Sequence, residues 1–379
     1  MARARGAALT AAALGLMLPA LAWAGEGRWT SQGPNADAVT ALAIDPSAPE
    51  TVFAATQAVE PIPAGILFGS EDGGASWRTL VPSPAGTVVA ALAFDAQERV
   101  LSGLLSSGDL FQSADGGASW RFRRAFALGP NPAGMTLDPH DPRTIYVFGS
   151  ACPVTGDCGR ESPVATIWRQ LPGQDWQTFA IAGASYVTAL AIDPTAPGRL
   201  YAGTDTGVWK SADDARNWQV AIAETDESIR PVSALAVGAD GSLLLGSYLT
   251  VDGMGGFGAV YRSTDTASTW QPVSGLPYWA RAFVFEPANP RNVWAVAGTS
   301  VFSFGFAVYR STDGGRTWLS ANEGLEGLWV LQLAIDEAGH RLYAATGAGV
   351  FDREVADSGR SVDLPAGPRP SPRSVGPRP

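Results

Sequence analysis

Five versions of one eight-residue box recur along the chain: SEDGGASW (70–77), SADGGASW (113–120), SADDARNW (211–218), STDTASTW (263–270) and STDGGRTW (311–318). No other feature restricts the fold as much. A recurring unit of this kind must stack on its equivalents, because one unit cannot bury its own apolar face. Taken alone, the Ser and Asp of a box look like a catalytic pair. Five catalytic centres in one chain make no chemical sense, whereas five copies of a turn do. Asp accepts backbone N–H bonds in a tight turn, Gly supplies positive φ, and a following Ser or Thr bonds back to the turn. The Trp then has a ring to bury between sheets. The boxes are therefore expected to be structural, through Asp72 and Trp77, Asp115 and Trp120, Asp213 and Trp218, Asp265 and Trp270, and Asp313 and Trp318.

A second element recurs between the boxes: ALAIDPSAP (41–49), ALAFDAQ (91–97), MTLDPHDP (135–142), ALAIDPTAP (189–197), ALAVGADG (234–241), FVFEPANP (283–290) and LAIDEAGH (333–340). The acidic position falls at 45, 95, 138, 193, 286 and 336, with Gly238 in its place once. The mean step is about 48 residues, near the repeat length of propeller blades. Each repeat reads as four strands. An apolar, small first strand ends in an Asp-Pro turn, since Pro cannot donate to a ladder. A second strand carries pairs such as Val52-Phe53, Leu200-Tyr201 and Val293-Trp294. A third precedes the box and a fourth begins at the box Trp. The third repeat has lost its box but keeps Ile167-Trp168 and Trp176. The seventh has no Trp after Phe351, and GRWTSQG near the N-terminus supplies one, Trp29. The sequence thus predicts an all-β chain: a single seven-bladed propeller of four-stranded antiparallel blades, closed by the N-terminal strand so that no sheet edge stays open.

The boxes resemble the Asp-box, or BNR repeat, S-x-D-x-G-x-[ST]-W. Those at Asp72, Asp115 and Asp313 fit it throughout. At Asp213 and Asp265, Ala215 and Ala267 replace the Gly, and Asn217 replaces one Ser/Thr. The resemblance covers nearly the whole chain after its leader and implies a hairpin turn between third and fourth strands. Asp-box propellers occur in sialidases and some other glycoside hydrolases, in sortilin-type receptors, and in photosystem II stability and assembly factors; size and export suit the last group best. The resemblance specifies fold, not function. The early Arg-Ile-Pro-like motif of sialidases is missing, where Val39-Thr40-Ala41-Leu42 stands. Arg230 and Arg281 have no evident third arginine to complete a triad.

In a four-stranded blade the 2→3 and 4→1 connections share one face, and the boxes lie on the other. The 2→3 connections are long in blades 1, 3, 5 and 6 (56–65, 150–165, 247–258 and 298–307). Insertions on one face of a repeat array mark a binding face. That face should also hold Tyr186, Arg230, Tyr278, Trp279, Arg281 and Trp329 near the channel mouth. Two readings of the aromatics stand: a plug that packs the loops, or an aromatic and arginine platform for a protein or a sugar. With only His140 and His340, both on the box face, a three-His zinc site is impossible and a Ser-His-Asp triad improbable. No cofactor and no metal are expected. A glycosidase would need paired carboxylates, for which Asp37, Glu60, Asp252 and Glu326 lie in face loops.

The chain opens MARARGAALTAAALGLMLPALAWA, with a charged start, an apolar run and a small-x-small end. Residues 1–24 read as a signal peptide, with no membrane insertion once it is removed. The product, residues 25–379, keeps 24 basic and 36 acidic residues, a net charge of −12. Such a balance excludes nucleic acid and anionic membranes as partners. In an exported protein, periplasmic or secreted, Cys152 and Cys158 are expected to pair. Residues 25–356 form the propeller and 357–379 a disordered Pro/Arg-rich tail. The function expected is a monomeric, non-catalytic scaffold binding a protein partner through the loop face, in the manner of an assembly factor. The alternative is a glycan-acting protein, lectin-like or a glycoside hydrolase.

Overall fold

The computed structural model describes residues 27–34, 38–57, 66–82, 88–124, 131–152, 162–222, 231–250, 256–277, 279–298 and 306–355. The signal peptide and the tail predicted from the sequence lie outside them, as do Cys158, Arg230 and Tyr278. The described residues form seven four-stranded antiparallel sheets and no helix, with one small hairpin added (Leu249–Thr250 and Gly256–Phe257). Each innermost strand touches the innermost strands of both neighbours, the seventh returning to the first, so the sheets are blades of a closed ring. The seventh blade is made as the sequence predicts. Thr30–Gly33 is its outermost strand, with Thr30 opposite Asp352 and Ser31 opposite Phe351.

Core packing follows from the repeat. The seven Trp that begin or stand in for a box each join the apolar cluster between their own blade and the one before. Trp77 packs with Val39, Val52 and Tyr343, Trp120 with Phe53 and Phe111, and Trp318 with Leu244 and Phe283. Trp176, Trp218 and Trp270 do the same at the next interfaces round the ring. Trp29 does so between blades 6 and 7, where it meets Trp294 and Leu325. Only Trp29 and Trp318 are buried; the others are half-buried, their outer edges reaching the rim. Fourth strands start one residue beyond the Trp, at Arg78, Arg121, Gln219, Gln271 and Leu319.

All five boxes share one hydrogen-bond pattern. The Ser hydroxyl donates to the Asp carboxylate, as Ser70 does to Asp72 at 2.8 Å. It also accepts the N–H of the residue four places on: Gly74, Gly117, Ala215, Ala267 or Gly315. The second Asp oxygen accepts from the side chain of Ser76, Ser119, Asn217, Thr269 or Thr317 at 2.5–2.6 Å. Asn217 therefore substitutes for a hydroxyl without loss of the bond. Ala215 and Ala267 adopt φ of 68° and 65°, where the other boxes have Gly. The fixed turn bonds outweigh the strain of a left-handed Ala.

The boxes also join blades. The carbonyl just after the box Asp accepts a basic side chain from the preceding blade: Arg78 to Gly116 at 2.7 Å, Arg169 to Asp214 at 2.8 Å, Lys210 to Thr266 at 3.0 Å and Arg262 to Gly314 at 2.7 Å. Lys210, the only lysine of the protein, is thus a clamp between blades 4 and 5.

These bonds make the boxes acid-sensitive. The Ser119 hydroxyl and N–H hold Asp115 down at about 2, and those of Thr269 do the same for Asp265. Asp72 and Asp213 are lowered by Ser76 and Asn217 in the same way. A carboxylate with a depressed folded pKa stabilises the fold above its unfolded pKa and loses that contribution as pH falls through the folded value. We expect the box contribution to be constant above pH ~4 and to be lost between about 4 and 2. Denaturant unfolding from pH 7 to 2 measures this, and Asp115→Asn should flatten the acid limb. An identical limb in both proteins would refute it.

Candidate functional site

Every innermost strand carries the same irregularity near its start, at its second residue or, in blade 3, its third. The register with the second strand slips between Val39 and Ala41, and equivalently in the other six blades. The residues so bulged are Thr40, Ala90, Ala133, Thr188, Ser233, Arg281 and Leu331. They ring one mouth of the channel, at the end where the 4→1 connections arrive. A bulge re-aims its side chain out of the pleat. Thr40, Thr188 and Ser233 use this to reach the next blade, donating to the carbonyls of Val89 (3.2 Å), Val232 (2.7 Å) and Ala280 (2.6 Å).

Tyr186, Trp279 and Trp329 occupy one equivalent position, the residue just before the innermost strands of blades 4, 6 and 7 (Val187–Ile192, Ala280–Glu286 and Val330–Ile335). Their backbones are pinned to the neighbouring 2→3 connections. Gly298 N–H donates to Trp279 O at 3.1 Å and Gly347 N–H to Trp329 O at 3.0 Å. The Asp205 carboxylate accepts from the N–H of Ser185 at 2.9 Å. The rings differ in exposure. Trp329 is 54% exposed and Tyr186 39%, while Trp279 is half-buried. Burial and the Asp205 charge raise the Tyr186 phenol above its ordinary pKa, so it stays a neutral donor.

Trp279 is the centre of a stack that the sequence reading did not foresee. Its ring meets Phe306 edge-on at 5.0 Å and Tyr248 at 4.8 Å. The Arg281 guanidinium lies 5.6 Å from the Phe306 centroid. The structure thus brings Trp279 and Arg281 together through Phe306 and adds Tyr248, both from the long connections of blades 5 and 6. Connection length pointed to these loops; nothing in the repeat singled out these two residues. Trp279 packs against its neighbours, whereas Trp329 is 54% exposed.

Of the four loop-face carboxylates read from the sequence, Glu326 is described. Both its oxygens accept the Gly324 N–H at 3.0 Å, and that bond lowers its pKa. A general acid needs the opposite shift. Asp37, Glu60 and Asp252 lie outside the described residues. His140 and His340 are on the box face as expected, His140 Nε2 lying 3.0 Å from Asp193 O in the next blade. Cys152 is buried at the loop end of blade 3, and none of the described cysteines is free.

The box face has clefts of its own. Between blades 1 and 2 a cleft of about 620 Å³ is lined by Phe53, Phe94, Glu71, Glu98, Arg78 and Arg99. One of about 240 Å³ follows between blades 2 and 3. Their charges are engaged across the blades, Arg99 with Asp45 at 2.9 Å and Arg143 with Glu98 at 3.9 Å.

No protein-family model matches this protein, and no curated protein matches it by sequence. Solved structures match its fold. YCF48 bound to a D1 peptide aligns with a TM-score of 0.61 at 17% identity, covering 88% of this chain and 96% of that one. YCF48 from Cyanidioschyzon merolae gives 0.59 at 16%, covering 86% and 98%. Chaetomium thermophilum Sqt1 bound to the N-terminus of the ribosomal protein L10 gives 0.55 at 14%, covering 84% and 97%. At these identities the likeness is one of fold.

Proposed function

We propose that this protein is an Asp-box propeller that catalyses nothing and binds a protein partner through the loop face at the channel mouth. The observation that carries the reading is exposed Trp329 and Tyr186 at the ends of innermost strands, with half-buried Trp279 and Tyr248 and exposed Arg281 set over buried Phe306. Large aromatics with an arginine, held on rigid strands around a concave mouth, are what protein-binding hot spots are made of. YCF48 with its D1 peptide and Sqt1 with the L10 N-terminus support it as propellers that hold peptide segments. We place the protein outside the cytoplasm, periplasmic or secreted, with its leader cut near Gly25 and Cys152 paired with Cys158. N-terminal sequencing of the mature protein tests the cut.

The binding reading is tested by crosslinking capture from the native cell envelope, with the unmodified protein beside Trp279→Ala/Trp329→Ala. Loss of two hot-spot rings should weaken recovery of a specific protein by ~30-fold or more. Equal recovery by both would remove the site. Recovery of no protein, with retention on an oligosaccharide array, would overturn the reading in favour of a glycan.

A further inference from the structure

Arg281 is the only charged residue among the seven at the bulged position of the innermost strands. Its polar equivalents have a structural task, since Thr40, Thr188 and Ser233 each close a bond to the next blade. Arg281 has none. Among the described residues it makes no hydrogen bond and no ion pair, and its guanidinium lies over the Phe306 ring at 5.6 Å. The strand is held without it, because Ala280 is paired with Ala297 and Ala282 with Val296 on either side of the bulge.

Arg281 is exposed, and partial burial pushes its pKa below the ordinary arginine value. The guanidinium stays protonated regardless and is free to take an anion. A carboxylate matches the planar fork with two parallel bonds, and a mouth with low-dielectric walls strengthens that pair. Half-buried Trp279 and Tyr248, with the buried Phe306 ring behind Trp279, give the rest of a peptide an apolar surface, for which a bare inorganic anion has no use.

We propose that Arg281 sets the partner's identity: the loop face takes a protein segment whose carboxylate, from an Asp or Glu side chain or from a free C-terminus, docks on the Arg281 guanidinium while its neighbours pack on Trp279. This rests on the protein-binding reading and narrows it to an anionic segment, which the propeller's acidic surface elsewhere would repel.

The test is selection of short random peptides on the immobilised mature protein, from one library with blocked C-termini and one with free C-termini. An Asp or Glu fixed at one position of the blocked library assigns the carboxylate to a side chain. Enrichment only from the free library assigns it to a C-terminus. In either case Arg281→Gln should weaken the enriched peptide by about tenfold or more, and Arg281→Lys by less. Neutralising the peptide's carboxylate should cost the same in the unmodified protein and nothing further in Arg281→Gln. Thermal unfolding of Arg281→Gln should match the unmodified protein closely, since among the described residues no hydrogen bond or ion pair is lost and the Phe306 contact is the one given up. Enriched peptides without a required carboxylate, or equal binding by Arg281→Gln, would overturn the proposal and leave the protein-binding reading standing. Enrichment of no peptide by the unmodified protein would overturn both.

Discussion

Trp29→Ala should lower the free energy of unfolding by about 3–5 kcal/mol, the range for removing a buried aromatic. The ring is 2% exposed and fills the interface of blades 6 and 7 beside Trp294, Leu325 and Val330. Its Nε1 donates to Ala321 O at 2.7 Å and its N–H to Glu323 O. Ala321 O keeps a second donor, Arg353 Nη1, so the loss is mainly one of packing. The consequence reaches beyond the cavity. Thr30–Gly33 is joined to blade 7 by noncovalent contacts alone, since it reaches that blade from the opposite end of the sequence. A loosened Thr30–Gly33 bares the edge of Gly349–Glu354, which can pair with another molecule. Urea unfolding should show an early midpoint, and size-exclusion chromatography concentration-dependent association. Trp120→Ala should cost less, because its ring is half-buried and its blade is covalently continuous. A Trp29→Ala midpoint equal to that of the unmodified protein would refute the closure argument.

That Trp29 closes the ring was legible because a Trp was missing after Phe351 and a spare one stood near the N-terminus. The arithmetic of a repeat survives the separation of its parts. The innermost strands were legible for the same reason: Ala, Leu and Asp-Pro recur at fixed offsets. The clamps between blades were not. Lys210 and Arg262 look like ordinary strand residues until the next blade's box turn is set beside them, and sequence spacing says nothing about which carbonyl faces which ammonium. At the site, Tyr186, Trp279 and Trp329 were readable as aromatics on the face of the 4→1 connections. Tyr248 and Phe306 were not, since they flank long 2→3 connections whose length differs from blade to blade. The bulge that aims Arg281 was hidden too. It is a property of strand register, so the sequence placed Arg281 near the channel mouth without showing the bulge that carries it.

Asp352→Ala should be nearly as damaging, by about 3 kcal/mol or more, because it breaks a buried charge network by removing one partner. Asp352 is fully buried in the third strand of blade 7. One carboxylate oxygen accepts from Thr30 Oγ1 at 2.5 Å and Gln32 Nε2 at 2.7 Å. The other accepts from Arg341 Nε at 2.7 Å. Arg341 in turn reaches Glu50 of blade 1 at 2.9 Å. A single residue therefore ties the N-terminal strand to blade 7 and helps hold blade 7 to blade 1. Asp352→Asn separates the two tasks. Its amide oxygen can still accept from Thr30 and Gln32, but the negative charge opposite Arg341 is gone. We expect Asp352→Asn to fall between the unmodified protein and Asp352→Ala in urea. Trp29→Ala and Asp352→Ala release the same strand, so the double variant should lose less than the sum of the two single losses. Full additivity would mean that the tryptophan and the carboxylate hold different parts of the molecule, and the single-strand closure would have to be abandoned.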